Sequence, residues 1–209
     1  LSLKGCQGAE SFCITGPPLQ GLDLSLLSSL DGQRIATMIT PLSSSLLVLR
    51  LSECDVSDET FKQAFEQITG TLALEEVDIS WCEQLTSESI KGLVIKCPFL
   101  KTAVLRVTET DDEVVNALAN SCPLLTACHL ARCAAVTDAS LGPLAAGPCG
   151  PRLRALDLAW LLPSAGGAAT VVKQCGALRH LSLQGCKAVD QSFLDLIADG
   201  ACPFLRRLD

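Results

Sequence analysis

Cys128, His129 and Cys133 are the residues of this chain with the most obvious chemical use. Two thiols and an imidazole close together could hold zinc, or a thiol could act as a nucleophile beside an imidazole base. Either use needs side chains that converge. The run Leu125-x-x-Cys128-x-Leu130-x-x-Cys133 alternates with the period of a strand. That period sends His129 to one face and both cysteines to the other. His180 falls in a different row, so it cannot complete a set. The acid pairs Glu75-Glu76 and Asp111-Asp112 are adjacent rather than convergent, which leaves no general acid–base couple. Gly166-Gly167 lacks the strand–helix setting of a phosphate loop. No catalytic, cofactor or metal residue is expected, and the chain does not read as an enzyme.

The elements that position these residues recur. Leu46-x-x-Leu49-x-Leu51-x-x-Cys54 returns as Leu74-x-x-Val77-x-Ile79-x-x-Cys82 and as Leu178-x-x-Leu181-x-Leu183-x-x-Cys186. Weaker copies start at Leu19, Leu100, Leu153 and Leu205, and a fragment opens the chain as Leu1-x-Leu3-x-x-Cys6. Successive starts lie 27, 28, 26, 25, 28, 25 and 27 residues apart. Periods of this size belong to leucine-rich repeats, with one strand and one helix per unit. The expected fold is an α/β horseshoe solenoid of about eight repeats. A parallel sheet lines its concave face and helices its convex face. One solenoid fills 1–209, with an irregular first turn over 1–18, where Gly16-Pro17-Pro18 breaks any helix.

Within a repeat the signals agree. Thr86-Ser87-Glu88 offers an N-cap hydroxyl and first-turn acid. Ile90, Leu93 and Val94 follow at helical spacing, and Cys97-Pro98 stops the helix. Ser57-Asp58, Thr137-Asp138 and Val189-Asp190 repeat this grammar. Two stretches depart from it. Ala145 to Pro151 reads as an inserted loop. Pro163 with Gly166-Gly167 predicts a helix that starts late and stays short.

Eleven of the twelve cysteines follow the repeat, and Cys13 does not. Such placement points to free interior thiols rather than a disulfide framework, and so to a reducing compartment: cytoplasm, nucleus or cilium. The net charge of −7 argues against nucleic acid as a partner. With no Tyr, two Trp and six Phe, a base-stacking platform is poorly supplied. No apolar run reaches membrane-spanning length. The chain opens inside one strand and stops inside another without polar capping repeats, and is expected to be an excerpt of a longer protein.

The run Cys122-Pro123-Leu124-Leu125 through Cys133-Ala134-Ala135-Val136-Thr137-Asp138-Ala139-Ser140-Leu141 resembles the cysteine-containing subfamily of leucine-rich repeats. That subfamily is found in F-box/leucine-rich-repeat proteins, in mitotic-exit antagonists of the Amn1 type, and in ciliary nexin–dynein regulatory complex members. The resemblance implies a protein-interaction module without catalysis. The first reading is the substrate-recognition solenoid of an F-box-type (SCF) ubiquitin ligase adaptor, which would engage Skp1 through an F-box outside this sequence. The alternative is a structural scaffold in a large assembly such as a ciliary complex.

Third, fifth and seventh strand positions face the concavity, and the eighth sits at the strand exit. These rows supply the expected partner-binding residues Arg50, Asp78, Trp81, Arg106, His129, Arg132, Asp157 and Trp160. Trp and Arg dominate interfaces when they do contact a partner. The plainer reading has the tryptophans covering the strand edge and Arg50 pairing with Asp78. A small-molecule receptor would need a basic floor, for which Arg50, Arg106 and Arg132 read as too spread.

Overall fold

Eight short parallel strands, added in chain order, form one sheet in the computed structural model. The structure describes residues 1–6, 18–27, 30, 32–187 and 189–209. The expected loop over Gly16-Pro17 and the off-pattern Cys13 lie outside the described residues. The strands are β1 Gly21–Asp23, β2 Val48–Arg50, β3 Glu76–Asp78, β4 Thr102–Val104, β5 Ala127–His129, β6 Ala155–Asp157, β7 His180–Ser182 and β8 Arg207–Leu208. Between them, among the described residues, run α1 Gly32–Ile39, α2 Asp58–Glu66, α3 Ser87–Ile95, α4 Asp112–Ser121, α5 Asp138–Ala146, α6 Ala165–Gln174 and α7 Gln191–Ala198. This is the leucine-rich-repeat solenoid that the periodicity predicts, with about eight repeats.

The register follows the repeat position for position. Asp23, Arg50, Asp78, Val104, His129, Asp157 and Ser182 are aligned across the sheet, as the fifth-position row requires. The central residue of strands β1 to β7 is buried. Leucines of the first, fourth and sixth positions meet the inner faces of the helices in one continuous core. No turn could bury that face alone, so each depends on its neighbours.

Three hydrogen-bonded ladders tie the turns together. The first uses the cysteine closing each strand motif. Its Sγ donates to the sixth-position carbonyl of the preceding repeat: Cys54 to Leu24, Cys82 to Leu51 and Cys186 to Leu158 at 3.1 Å, and Cys133 to Leu105 at 3.0 Å. At Leu51 and Leu158 that oxygen also accepts the N–H of its own turn, so both lone pairs are used. A second thiol ladder runs where the helices end, from Cys122 to the Cys97 carbonyl and from Cys202 to those of Val172 and Cys175. The thiols are free, and most are buried. Cys6 is exposed and Cys186 half-buried, so the interior placement expected of the set fails at these two.

The third ladder joins the helix N-termini. The Asp58 carboxylate accepts the Thr86 N–H and hydroxyl, Asp112 accepts those of Thr137, and Asp138 accepts the Ser164 N–H. Each acceptor sits in the first turn of one helix and each donor is the N-cap of the next. Acid at these sites therefore does more than suit the helix dipole: it fixes how one helix sets the start of its neighbour.

Helix α6 corrects an expectation. It begins at the usual distance from its strand and is ten residues long. Pro163 lies before the N-cap, where no N–H is required, and Ser164 caps the helix by accepting from Gly167 N. A Cβ on Gly167 would meet the Asp138 carboxylate, so a larger residue would displace the group that accepts the Ser164 N–H. The segment Ala145 to Pro151 is likewise less of a loop than expected. Helix α5 runs into it, and Gly150–Arg152 is a single 3-10 turn. A Cβ on Gly150 would meet the Ala145 carbonyl oxygen at 1.8 Å.

These ladders set the pH range of stability. Burial raises the Asp58 and Asp112 carboxyls, but hydrogen bonds from the Ser and Thr side chains and the next turn's N–H outweigh it and hold both below the usual range. Their stabilisation is present above about pH 4, the unfolded value, and is lost as pH falls through the folded values. Burial pushes the Cys54 thiol up to about 11 and those of Cys82, Cys122 and Cys175 to about 12. Their contribution is complete below about pH 8.5 and is lost as pH rises through 11 to 12. Urea denaturation across pH should give a plateau between about pH 5 and 8 with losses on both sides. Stability that is unchanged at pH ~3 would contradict the carboxylate ladder. Cys82→Ala should cost about 1–3 kcal/mol in the same measurement, from lost packing and a carbonyl left with one partner.

Candidate functional site

The strand exits carry an unusual backbone. Leu26, Glu53, Trp81, Val107, Arg132 and Trp160 all have positive φ between 55° and 63°. All occupy the eighth position of the repeat, where Gly5 and Gly185 also sit at positive φ. The ninth-position N–H donates to the sixth-position carbonyl, as from Cys82 to Ile79 and from Leu161 to Leu158. These are β-turns of the kind that place their third residue at positive φ. A non-glycine residue there costs about 1–2 kcal/mol. The cost is offset by the ladder, because the same residue's N–H reaches the next repeat: Trp81 to Arg106, Arg132 to Ala159, Trp160 to Gln184. Trp81 and Trp160 are therefore held at turn tips, 50% and 53% exposed.

The fifth-position aspartates close the same turns. Oδ1 of Asp23, Asp78 and Asp157 accepts the N–H two residues on, from Ser25, Ser80 and Ala159. This is side-chain capping of a turn. Asp78 is thus occupied by its own backbone, and Arg50 pairs with Glu76 at 2.6 Å rather than with Asp78. Arg50 and Asp78 stay away from the remaining expected residues.

Those six residues come together. Trp81, Arg106, His129, Arg132, Asp157 and Trp160 all line one concave pocket of about 590 Å³. Its floor is small, with Ala131, Ala155 and Ala159, and its far wall includes His180, Gln184 and Arg207. The expectation that the arginines are too spread for a common floor fails for Arg106 and Arg132 and holds for Arg50. The alanines at third and seventh positions were the sequence signal for a depression. The far wall follows from the register, which carries His180 and Arg207 in line with Ala155.

Inside the pocket the charges are ordered. Arg106 Nη2 lies 2.9 Å from Asp157 Oδ2 and 3.1 Å from His129 Nδ1. Arginine only donates, so Nδ1 accepts in this arrangement. His129 Nδ1 is 3.8 Å from Asp157 Oδ2, beyond hydrogen-bond reach. Burial raises the Asp157 carboxyl; the Ala159 N–H and the Arg106 guanidinium outweigh it and hold it below the usual range. The Arg132 guanidinium lies 5.5 Å from the centre of the Trp160 ring, a cation–π contact. The same indole rests on Gly185, where a Cβ would lie 2.7 Å from Trp160 Cε3. Arg132, Trp160 and Gly185 thus stack along the eighth-position row. Cys128 is fully buried behind the sheet while His129 faces the pocket. The two side chains diverge as the alternation predicts.

No family model matches the sequence. Solved structures with the same fold are found. Rad7, from the crystal structure of the Rad7 and Elc1 complex in yeast, is 18% identical with a TM-score of 0.68, over 83% of this chain and 51% of Rad7. An internalin (inlF) from Listeria monocytogenes is 13% identical with a TM-score of 0.53, over 91% of this chain and 61% of its own. The leucine-rich repeat-containing protein LegL7 from Legionella pneumophila is 14% identical with a TM-score of 0.50, over 91% and 64%. The chain spans about half the length of Rad7 and under two thirds of the other two.

The packing of Trp160 on Gly185 gives a direct measurement. With Trp81→Phe as background, one tryptophan remains. Gly185→Ala should drive the indole off this seat, shift its emission and cost about 1 kcal/mol, with the far-ultraviolet circular dichroism unchanged. Unaltered emission would show that the stack does not form.

Proposed function

We propose that this chain is a protein-interaction module that grips a partner segment in the concave pocket that Trp81 and Trp160 help to line. The observation that carries this reading is the pair of exposed indoles fixed at turn tips along the strand-exit edge of an alanine-floored depression. Two exposed aromatic anchors around a concave, partly apolar site are the usual makings of an interface centre. Their rigid tips reduce the entropy that a partner must overcome. The pocket groups are engaged with one another: Arg106 with Asp157, Arg132 with Trp160. That arrangement suits recognition better than proton transfer.

Within this class, the first reading is the substrate-recognition solenoid of an F-box-type ubiquitin ligase adaptor. It rests on the likeness of Cys122 to Leu141 to the cysteine-containing repeats. Further support comes from Rad7, a solenoid of the same fold crystallised with a protein partner, Elc1. A scaffold role in a larger assembly is the other reading, and the stacked turns would serve it equally well.

Trp81→Ala combined with Trp160→Ala should weaken partner binding by about tenfold or more while the melting temperature changes little, since both side chains are half exposed. Isothermal titration with a partner recovered by the full-length protein measures this, and unchanged affinity would reject the pocket. Co-purification of Skp1 with the full-length protein tests the adaptor reading. Failure to recover it would leave the scaffold reading in place.

A further inference from the structure

The second position of each repeat, just before the strand, forms a column along one rim of the sheet. It reads Glu75, Lys101, Thr126, Arg154, Arg179 and Arg206 over the last six turns. Neighbours in this column are close enough to pair. Lys101 N–H donates to the Glu75 carbonyl at 2.7 Å, and their side chains form an ion pair at 2.7 Å. The backbone link is the same further on: Arg179 N–H to the Arg154 carbonyl and Arg206 N–H to the Arg179 carbonyl, both at 2.8 Å. Here, however, three arginines follow one another with no acid between them. All three are exposed, as is Arg152 beside them. None of the four makes an ion pair among the described residues, whereas Arg50, Lys62, Lys91, Lys101, Arg106 and Arg207 all do.

Like charges in register across neighbouring strands, about 4.8 Å apart, destabilise the free protein. The column is also out of keeping with the rest of the chain. Residues 150–209 carry seven Lys and Arg against five Asp and Glu, whereas residues 1–149 carry nine against eighteen. We propose that Arg154, Arg179 and Arg206 form a docking rim for a short acidic polypeptide segment, one carrying a run of Asp or Glu.

The size of the basic zone selects this occupant. Three strands span roughly 10 Å, which is about one Debye length at physiological salt. A nucleic acid or an anionic bilayer extends well past that distance and meets the acidic turns of residues 1–149. A brief run of carboxylates does not. Guanidinium groups also suit carboxylates, which they hold through two parallel N–H bonds. The rim is distinct from the tryptophan pocket, so its occupancy does not depend on the pocket's role.

Fluorescence anisotropy of the intact chain with a labelled peptide carrying a glutamate run in a Gly/Ser background, against the matching glutamine peptide, tests the proposal. The glutamate peptide should bind, weaken as salt rises, and lose affinity about tenfold or more in Arg154→Glu with Arg179→Glu. Arg154→Gln with Arg179→Gln should give a smaller loss with an unchanged melting temperature, which separates lost contacts from lost fold. Trp81→Ala with Trp160→Ala should bind the glutamate peptide as well as the parent does. Equal binding of the glutamine peptide, or no effect of the arginine changes, overturns the proposal. So does tighter, Arg154- and Arg179-dependent binding of a single-stranded oligonucleotide or a phosphatidylserine vesicle.

Discussion

The carbonyl oxygen at the exit of each strand is the constraint around which the solenoid is organised. It is buried, it has two lone pairs, and the turn that follows the strand supplies only one donor. A second can come from the next repeat. Where the ninth residue is cysteine, the thiol reaches back to it at about 3.1 Å. Cysteine is small enough to stay inside the turn and polar enough to make this bond. The ladder therefore accounts for the recurrence of sulfur better than packing alone. Thr108 and Leu161 show the alternatives. Thr108 donates its hydroxyl to Leu105 of its own turn, and Leu161 makes no such link.

Because every turn is tied to the next by strand pairing, and most also by a thiol or a carboxylate, the sheet offers a rigid base for irregular ornaments. The eighth-position residues use that rigidity. Among the described residues, six that bear side chains sit at positive φ, a conformation each would avoid in a flexible loop. The sheet enforces it, and so aims Trp81, Arg132 and Trp160 at fixed angles above the pocket. Function here is borrowed from the regularity beneath it.

Much of this was legible in the sequence. The alternation of Glu76, Val77, Asp78, Ile79 and Ser80 fixed the faces. The leucine period fixed the register, which the strand pairs reproduce from Asp23 to Ser182. Six of the eight expected site residues share one pocket because they occupy neighbouring turns. Pairing was not legible. Arg50 reaches diagonally to Glu76 rather than to Asp78 directly opposite, a choice that charge patterning does not reveal. Helix α6 was misread for a similar reason. Pro163 and Gly167 look like breakers in isolation, but one precedes the cap and the other makes room for Asp138. The pocket's floor was visible only as missing bulk at Ala131, Ala155 and Ala159, which mean little until the strands are laid side by side.

The backbone at the turn tips separates what a repeat needs from what it shows. The eighth residue gives the sheet only its N–H and its φ, and Trp, Arg, Val, Glu, Leu and Gly all meet that demand. Away from Gly185, which seats the Trp160 indole, substitutions there are inherited by the outer surface alone. A lineage could thus exchange one partner for another by redrawing a line of single letters, turn by turn, with the interior left as it was.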